Sequence, residues 1–359
     1  MRKIIVTTIV WLLSIPNLAF AVNWNAQAPY LLFDPPRPTG TFAYAPASIS
    51  EYPYDYHFYC GNTGNNEIKD HIYVRRYYWN GASWVLQNDQ VAIAPSAGRW
   101  DSVHVCDPAV VKGAFNMDGI TYAYALFYTG TQDPYQNGTQ NSVGVAFSND
   151  LMNWVKHPTP LIKMQAAGYW GVGQPAVTSV NGAGNVLLFA TRDDMGLNRS
   201  ATFVSQYNLS NMASPQIVTP QWLVPEGGLS NIDGTTTTLG TRIINADFVY
   251  DSANDRFYMV RPALLTNNPP TWITDKLEVA YISGASMWAG SGNWTSVKFI
   301  DSPFSGKGKN FDAGFQRGPY GTLPTPGELR VNFSGSDISY NWPAALWTYR
   351  IYSTSGPLQ

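Results

Sequence analysis

Asp107-Pro108-Ala109-Val110-Val111 is followed, about ten residues on, by Tyr122-Ala123-Tyr124-Ala125-Leu126-Phe127-Tyr128-Thr129-Gly130. Both runs are short, apolar and rich in β-branched or aromatic residues, which favours strands. The same couple recurs along the chain. The first member reads Ala45-Pro46-Ala47-Ser48-Ile49, Gln174-Pro175-Ala176-Val177, Asp247-Phe248-Val249-Tyr250 and Asp312-Ala313-Gly314-Phe315. The second reads Tyr56–Gly61, Val186–Thr191, Arg256–Val260 and Leu329–Gly335. The first members start at 45, 107, 174, 247 and 312, so the period is about 67 residues.

A third strand is expected after each couple, at Ile72–Tyr77, Val143–Phe147, Thr202–Tyr207, Leu277–Ile282 and Leu346–Ile351. A fourth is expected at Val91–Pro95, Pro160–Ile162, Trp222–Pro225 and Val297–Pro303. The fifth unit has no fourth strand, while Tyr30-Leu31-Leu32-Phe33-Asp34-Pro35 precedes the first unit without partners. Radial repetition of four strands predicts an all-β, five-bladed β-propeller whose N-terminal strand completes the last blade. Such closure removes exposed sheet edges. A β-sandwich explains neither the period nor the unpaired first strand. The missing 3.6-residue periodicity excludes a helical solenoid.

Composition agrees. Of 359 residues, 14% are aromatic and only 13% charged, which excludes a coiled coil and a disordered chain. A net charge of −2 gives no electrostatic footprint for nucleic acid. Many aromatics with few charges suit a carbohydrate partner, and a monomer is expected.

Arg2 and Lys3 precede an apolar run from Ile4 to Ile15, and Ala19-Phe20-Ala21 gives the small-residue pattern of a cleavage site. Residues 1–21 therefore read as a secretory signal, leaving 22–359 as one propeller domain, secreted or periplasmic. The run is too short for a comfortable membrane span, and nothing later approaches one. After cleavage no membrane association is expected. Export permits disulfides, and the only cysteines are Cys60 and Cys106. In a propeller, the end of strand two in blade one and the start of strand one in blade two share a face. That makes a bridge reachable, and its loop is worth about 4 kcal/mol in the chain-entropy account.

The same face gathers polar residues. The inner-strand starts carry Ala45, Asp107, Gln174, Asp247 and Asp312. Loops entering blades two to four add Trp100, Asp101, His104, Trp170 and Glu226, and a strand-two end adds Arg192 and Asp193. A ring of carboxyl groups suits glycoside chemistry, in which one group protonates the leaving oxygen and another activates water or attacks the sugar. Crowding raises at least one pKa, as a general acid requires. Asp107, Asp247 and Asp312 are the catalytic candidates. Trp100, Asp101, His104, Trp170, Gln174, Arg192, Asp193 and Glu226 are the substrate-binding ones. Each also has a structural reading, since an Asp at a strand start caps turns and a lone His or Trp commonly packs. No zinc spacing, phosphate loop or nucleophile elbow occurs. No cofactor or metal is called for, although an ion on the axis stays open.

Blade two resembles that of the five-bladed propeller glycoside hydrolases of families 43, 62 and 32. The residues concerned are Cys106-Asp107-Pro108-Ala109-Val110-Val111, Phe127-Tyr128-Thr129-Gly130, Val143–Leu151, Trp154 and Pro160-Leu161-Ile162. The resemblance implies an Asp base on blade one, a second Asp on blade two and a Glu acid on blade three. Asp107 matches the second position. Ala45 and Gln174 stand at the other two and can do neither job. Three readings follow: a hydrolase with relocated carboxylates, a glycan-binding propeller without hydrolysis, or a secreted protein scaffold.

Overall fold

A computed structural model of the protein describes Trp24 and residues 28–33, 42–61, 69–133, 140–164, 169–194, 199–230, 242–267, 270–324, 327–337 and 348–358. The expected signal segment, residues 1–21, lies outside them. The first strand is β1 (Tyr30–Phe33). Blade one holds β2 (Tyr44–Glu51), β3 (Tyr54–Gly61), β4 (His71–Trp79) and β5 (Trp84–Ile93). Blade two holds β6 (His104–Met117), β7 (Ile120–Thr131), β8 (Ser142–Ser148) and β9 (Val155–Lys156). Blade three holds β10 (Val172–Ser179), β11 (Asn185–Asp194), β12 (Arg199–Asn208) and the short β13 (Gln216–Ile217) and β14 (Trp222–Leu223). Blade four holds β15 (Asp247–Asp251), β16 (Arg256–Asn267), β17 (Pro270–Ser283) and β18 (Thr295–Ile300), with α1 (Gly284–Ala289) between the last two. After α2 (Ser302–Ser305), blade five holds β19 (Lys309–Arg317), β20 (Glu328–Ser336) and β21 (Arg350–Pro357).

The fold is a five-bladed β-propeller, and β1 closes it. Tyr30 pairs antiparallel with Ser353 on the outer edge of blade five. On the inner side, β19 meets β2 in a short parallel bridge, Gln316 with Ser48 and Arg317 with Ile49. Side chains reinforce this junction: Asn332 Nδ2 donates to Ser48 Oγ at 2.9 Å and Gln316 Nε2 to Ser50 Oγ at 2.7 Å.

Strands pressed between two neighbours must be apolar on both faces. In β8 every residue is buried. Each junction between blades has its own apolar cluster. Phe58 and Leu126 lie between blades one and two, and Phe127 and Leu188 between two and three. Phe189 stacks on Phe248 between three and four, ring centroids 4.1 Å apart. Val260 and Val331 join four to five, and Phe33 and Tyr59 join five to one.

Some boundaries differ from the sequence reading. The last inner-to-outer strand runs Arg350–Pro357, well past the expected end at Ile351, while Leu346 and Trp347 of the expected Leu346–Ile351 lie outside the described residues. Its Ser-Thr-Ser-Gly residues lack the apolar signal, yet they are buried among blade neighbours. In blade one the fourth strand begins at Trp84, because the exposed Trp84-Val85-Leu86 and the polar residues 87–90 after them already pair with β4. In blade two the fourth strand is Val155–Lys156, and Ile162 makes only an isolated bridge to Val143.

The expected disulfide is present. Cys60 and Cys106 are joined with their Cα atoms 5.3 Å apart, tying the end of β3 to the start of β6. On that face, the mouth, lie the connection 94–103 and the described parts of the connections 157–171 and 224–246. The opposite face has tight turns such as 52–53, 118–119 and 252–255. Long connections over a rigid scaffold are where binding groups concentrate.

Candidate functional site at the axial mouth

Five residues near the starts of the inner strands share one backbone conformation. Ala45, Asp107, Gln174, Asn245 and Asp312 have φ of 49°, 53°, 50°, 48° and 36°. This left-handed region costs a non-glycine residue about 1–2 kcal/mol. The fold meets the cost once per blade without using a glycine. In four blades the strained residue's N–H donates to the side chain that ends strand two of the preceding blade. Asp107 donates to Cys60 Sγ at 3.0 Å and Gln174 to Thr129 Oγ1 at 2.7 Å. Asn245 donates to Thr191 Oγ1 at 3.0 Å and Ala45 to Ser334 Oγ at 3.2 Å.

The blade-four equivalent of Asp107 is therefore Asn245, two residues before Asp247, and not Asp247 itself. Reading strand starts from the apolar run Phe248-Val249-Tyr250 missed the left-handed residue in front of it. Asp247 sits deeper in the same lining. Its Oδ2 accepts from Phe315 N at 2.8 Å, and its Oδ1 lies 3.3 Å from Arg317 Nη2. Arg317 is buried and also donates to Val177 O at 3.1 Å, so one guanidinium joins blades three, four and five.

The ring surrounds a cavity of about 30 Å³, lined by Ala45, Asp107, Gln174, Asn245, Asp247 and Asp312. That is room for a water or two at the floor of the mouth. Its carboxyl groups are perturbed. Burial raises Asp107 to about 6, partly offset by hydrogen bonds from Thr129 and the Gln174 N–H. Burial raises Asp312 well above the usual carboxylate range. The Asp107 charge adds to this, and the Asn245 amide, which donates to Asp312 Oδ1, works against it. Burial also raises Asp247, against the pull of Arg317. Ionisable groups pushed apart in one concave site are what acid–base chemistry uses.

The other candidates stand around this ring with partners of their own. Trp100 is half-buried and stacks on Tyr128, centroids 5.7 Å apart. It lies over Gly130 and Gly144, where an added Cβ would meet its ring at 2.7 Å. Gly144→Ala should therefore cost about 1–3 kcal/mol by overpacking. Urea denaturation followed by tryptophan fluorescence measures it, and an unchanged midpoint would remove Trp100 from this packing role.

Asp101 is buried, accepting from Lys156 Nζ at 2.6 Å and Tyr128 Oη at 3.0 Å. His104 Nδ1 accepts from Asp70 N at 3.2 Å, and burial lowers its pKa to about 4. Tyr44 Oη donates to Asp70 Oδ2 at 2.5 Å beside it. Asp193 accepts from Trp170 N at 2.7 Å and from Ser200 Oγ at 2.5 Å. Arg192 lies 3.9 Å over the Phe203 ring and donates to Gln221. Glu226 is paired with Arg199 at 2.5 Å. These residues shape the wall through mutual contacts. Only Asp107, Gln174, Asp247 and Asp312 of the candidates line the axial cavity.

Sequence reasoning missed Asn245 and the ion pair of Arg261 with Glu278. A lone Glu inside Leu277-Glu278-Val279-Ala280 was the available signal for the pair. For a metal, the two groups of three neighbouring ligand atoms among the described residues both include Cys106 Sγ, which the disulfide occupies. Neither keeps three ligands.

No family model matches the sequence, and no curated relative matches it. Solved structures do match in shape. A protein solved as an RGII complex superposes with a TM-score of 0.58 at 12% identity, over 92% of this protein and 92% of that one. A thermostable family-43 glycoside hydrolase gives 0.56 at 11% identity, over 92% and 93%. The catalytic domain of the Coprinopsis cinerea GH62 alpha-L-arabinofuranosidase gives 0.56 at 12% identity, over 93% and 97%. At these identities the likeness is one of fold: the protein shares the five-bladed β-propeller of these glycoside hydrolases.

Proposed function

We propose that this protein is carbohydrate-active, is exported by its N-terminal segment, and hydrolyses glycosidic bonds of an oligo- or polysaccharide at the axial mouth. One observation carries the reading: two carboxyl groups, the half-buried Asp107 and the buried Asp312, line one cavity, and desolvation raises both. The other acidic candidates are committed elsewhere. Asp247 is held by Arg317 and Phe315, Glu226 by Arg199, and Asp193 by Trp170 and Ser200.

Asp312, whose carboxyl burial and the Asp107 charge hold well above the usual carboxylate range, gives its proton to the leaving glycosidic oxygen as the bond to the anomeric carbon breaks. Asp107, ionised above about pH 6, takes a proton from the water whose oxygen bonds to that carbon. Return of this proton through solvent to Asp312 completes the cycle.

The pH dependence follows. kcat/KM should fall below about pH 6, as Asp107 takes up a proton and ceases to act as base. It should fall again at higher pH, as Asp312 loses its proton. Initial rates between pH 4 and 9 measure both limbs, and a flat profile between 5 and 7 would remove Asp107 from the role of base.

The direct experiment incubates the mature protein with a panel of plant and microbial polysaccharides, beside Asp107→Ala. Sugar released by the wild type and lost in the variant supports the hydrolase. A second reading, glycan binding without hydrolysis, is favoured by Ala45 and Gln174 at two ring positions where the resemblance implies acidic residues. Binding without release, retained by the variant, would select it.

A further inference from the structure

The two carboxyl groups are placed unevenly around the ring. In blade order the ring reads Ala45, Asp107, Gln174, Asn245, Asp312. Asp107 and Asp312 are thus the neighbours of Ala45 on either side. On the longer arc between them each carboxyl group is held. Asn245 Nδ2 donates to Asp312 Oδ1, and Thr129 with the Gln174 N–H holds Asp107. On the shorter arc the cavity wall is apolar. Blade one contributes Ala45, Pro46 and Ala47 to the cavity and no polar side chain.

The backbone does not demand alanine there. Gln174 holds the same conformation in blade three, φ 50° against 49°, and Asn245 holds it in blade four. If conformation alone mattered, glycine would relieve the strain at this position. A side chain as long as that of Gln174 would reach into the space that Asp107 and Asp312 share.

We propose that the bond to be broken lies above Ala45, in the gap its methyl leaves between Asp312 and Asp107, so that blade one positions the reacting sugar. This rests on the hydrolase reading above. Ring order puts this gap between the two carboxyl groups, on the side away from Gln174 and Asn245. Ala45 is then a specificity-determining residue through its small size. Its backbone is fixed, since its N–H donates to Ser334 Oγ, which in turn donates to Asp312 O at 3.1 Å.

The test fills the gap with side chains the fold already carries at equivalent positions. Ala45→Gln and Ala45→Asn should each lower kcat/KM roughly 100-fold, the cost of displacing a substrate by about an ångström. Their melting temperatures should stay near that of the wild type. Ala45→Gly and Ala45→Ser, which add little or nothing to the gap, should lose far less activity than Ala45→Gln and Ala45→Asn. Asp312→Asn is assayed beside them. If Asp312→Asn is inactive while both filled variants match the wild type, the gap assignment falls and the hydrolase reading stands. If the wild type releases no sugar, or Asp312→Asn releases it at the wild-type rate, the hydrolase reading falls and takes this inference with it. Should Ala45→Gln not fold, Ala45→Asn decides alone, Asn being among the non-glycine residues most tolerant of the left-handed conformation.

Discussion

Asp312→Asn is expected to lower sugar release roughly 10³-fold, the usual worth of a general acid, while making the protein more stable at pH 7 than the wild type. The two signs have one cause. Burial, together with the charge of Asp107, holds the folded Asp312 carboxyl well above its unfolded value near 3.8. A carboxyl group raised in the folded state adds full stability below its unfolded pKa. It gives that stability up as pH rises through the folded value, because the unfolded chain binds fewer protons in that window. Asp107 behaves likewise between about pH 4 and about pH 6. Its ionisation in the native state costs about 3 kcal/mol by pH 7. The neutral amides of Asp312→Asn and Asp107→Asn escape this loss. Both variants should therefore match the wild type near pH 3.5 and exceed it at pH 7 in denaturant melts. A carboxyl group kept for structure alone would show the reverse, a loss of stability at neutral pH on conversion to Asn. That result, with unchanged activity, would sink the assignment.

Glu278→Ala is expected to cost about 3–5 kcal/mol of folding stability. Arg261 and Glu278 face each other across β16 and β17 and are both fully buried. Arg261 Nη2 donates to Glu278 Oε2 at 2.6 Å, and Ser230 Oγ donates to the same oxygen at 2.8 Å. Arg261 Nη1 donates to Arg242 O at 2.8 Å. Removing Glu278 strands a guanidinium that has no route to water, and burial already pulls its pKa down. Replacing both partners together, with Arg261→Met and Glu278→Leu, removes the stranded charge and should recover most of the loss. A urea-denaturation cycle over the four proteins measures the coupling. Equal losses in the single and double variants would show that packing, and not the charge pair, holds this junction.

The architecture was legible because it is written five times. Short apolar runs at a steady spacing identify blades even where each run alone is ambiguous, and the unpartnered Tyr30–Phe33 showed how the ring closes. The cysteine pair was readable because topology brings Cys60 and Cys106 to one face. The site was legible only in part. Asp107 and Asp312 stand at the left-handed bend itself, so reading strand starts found them. In blade four the apolar run begins after the bend, so the count fell on Asp247 and passed over Asn245. The roles of Trp100, Asp101 and Glu226 depended on partners far away in sequence: Gly144, Lys156 and Arg199. A residue's type does not say whether its charge is already neutralised by another, and spacing within one blade cannot supply a contact made by the next.

The closure by β1 bears on the order of events in the life of the protein. Tyr30 pairs with Ser353, nearly the whole length of the sequence away. β1 has no partner until β21 has emerged. Blades one to four can form as they leave the ribosome, but the ring cannot be completed before β21 is made. Contacts of such long range make folding slow and leave an incomplete polypeptide exposed at the junction between its first and last blades.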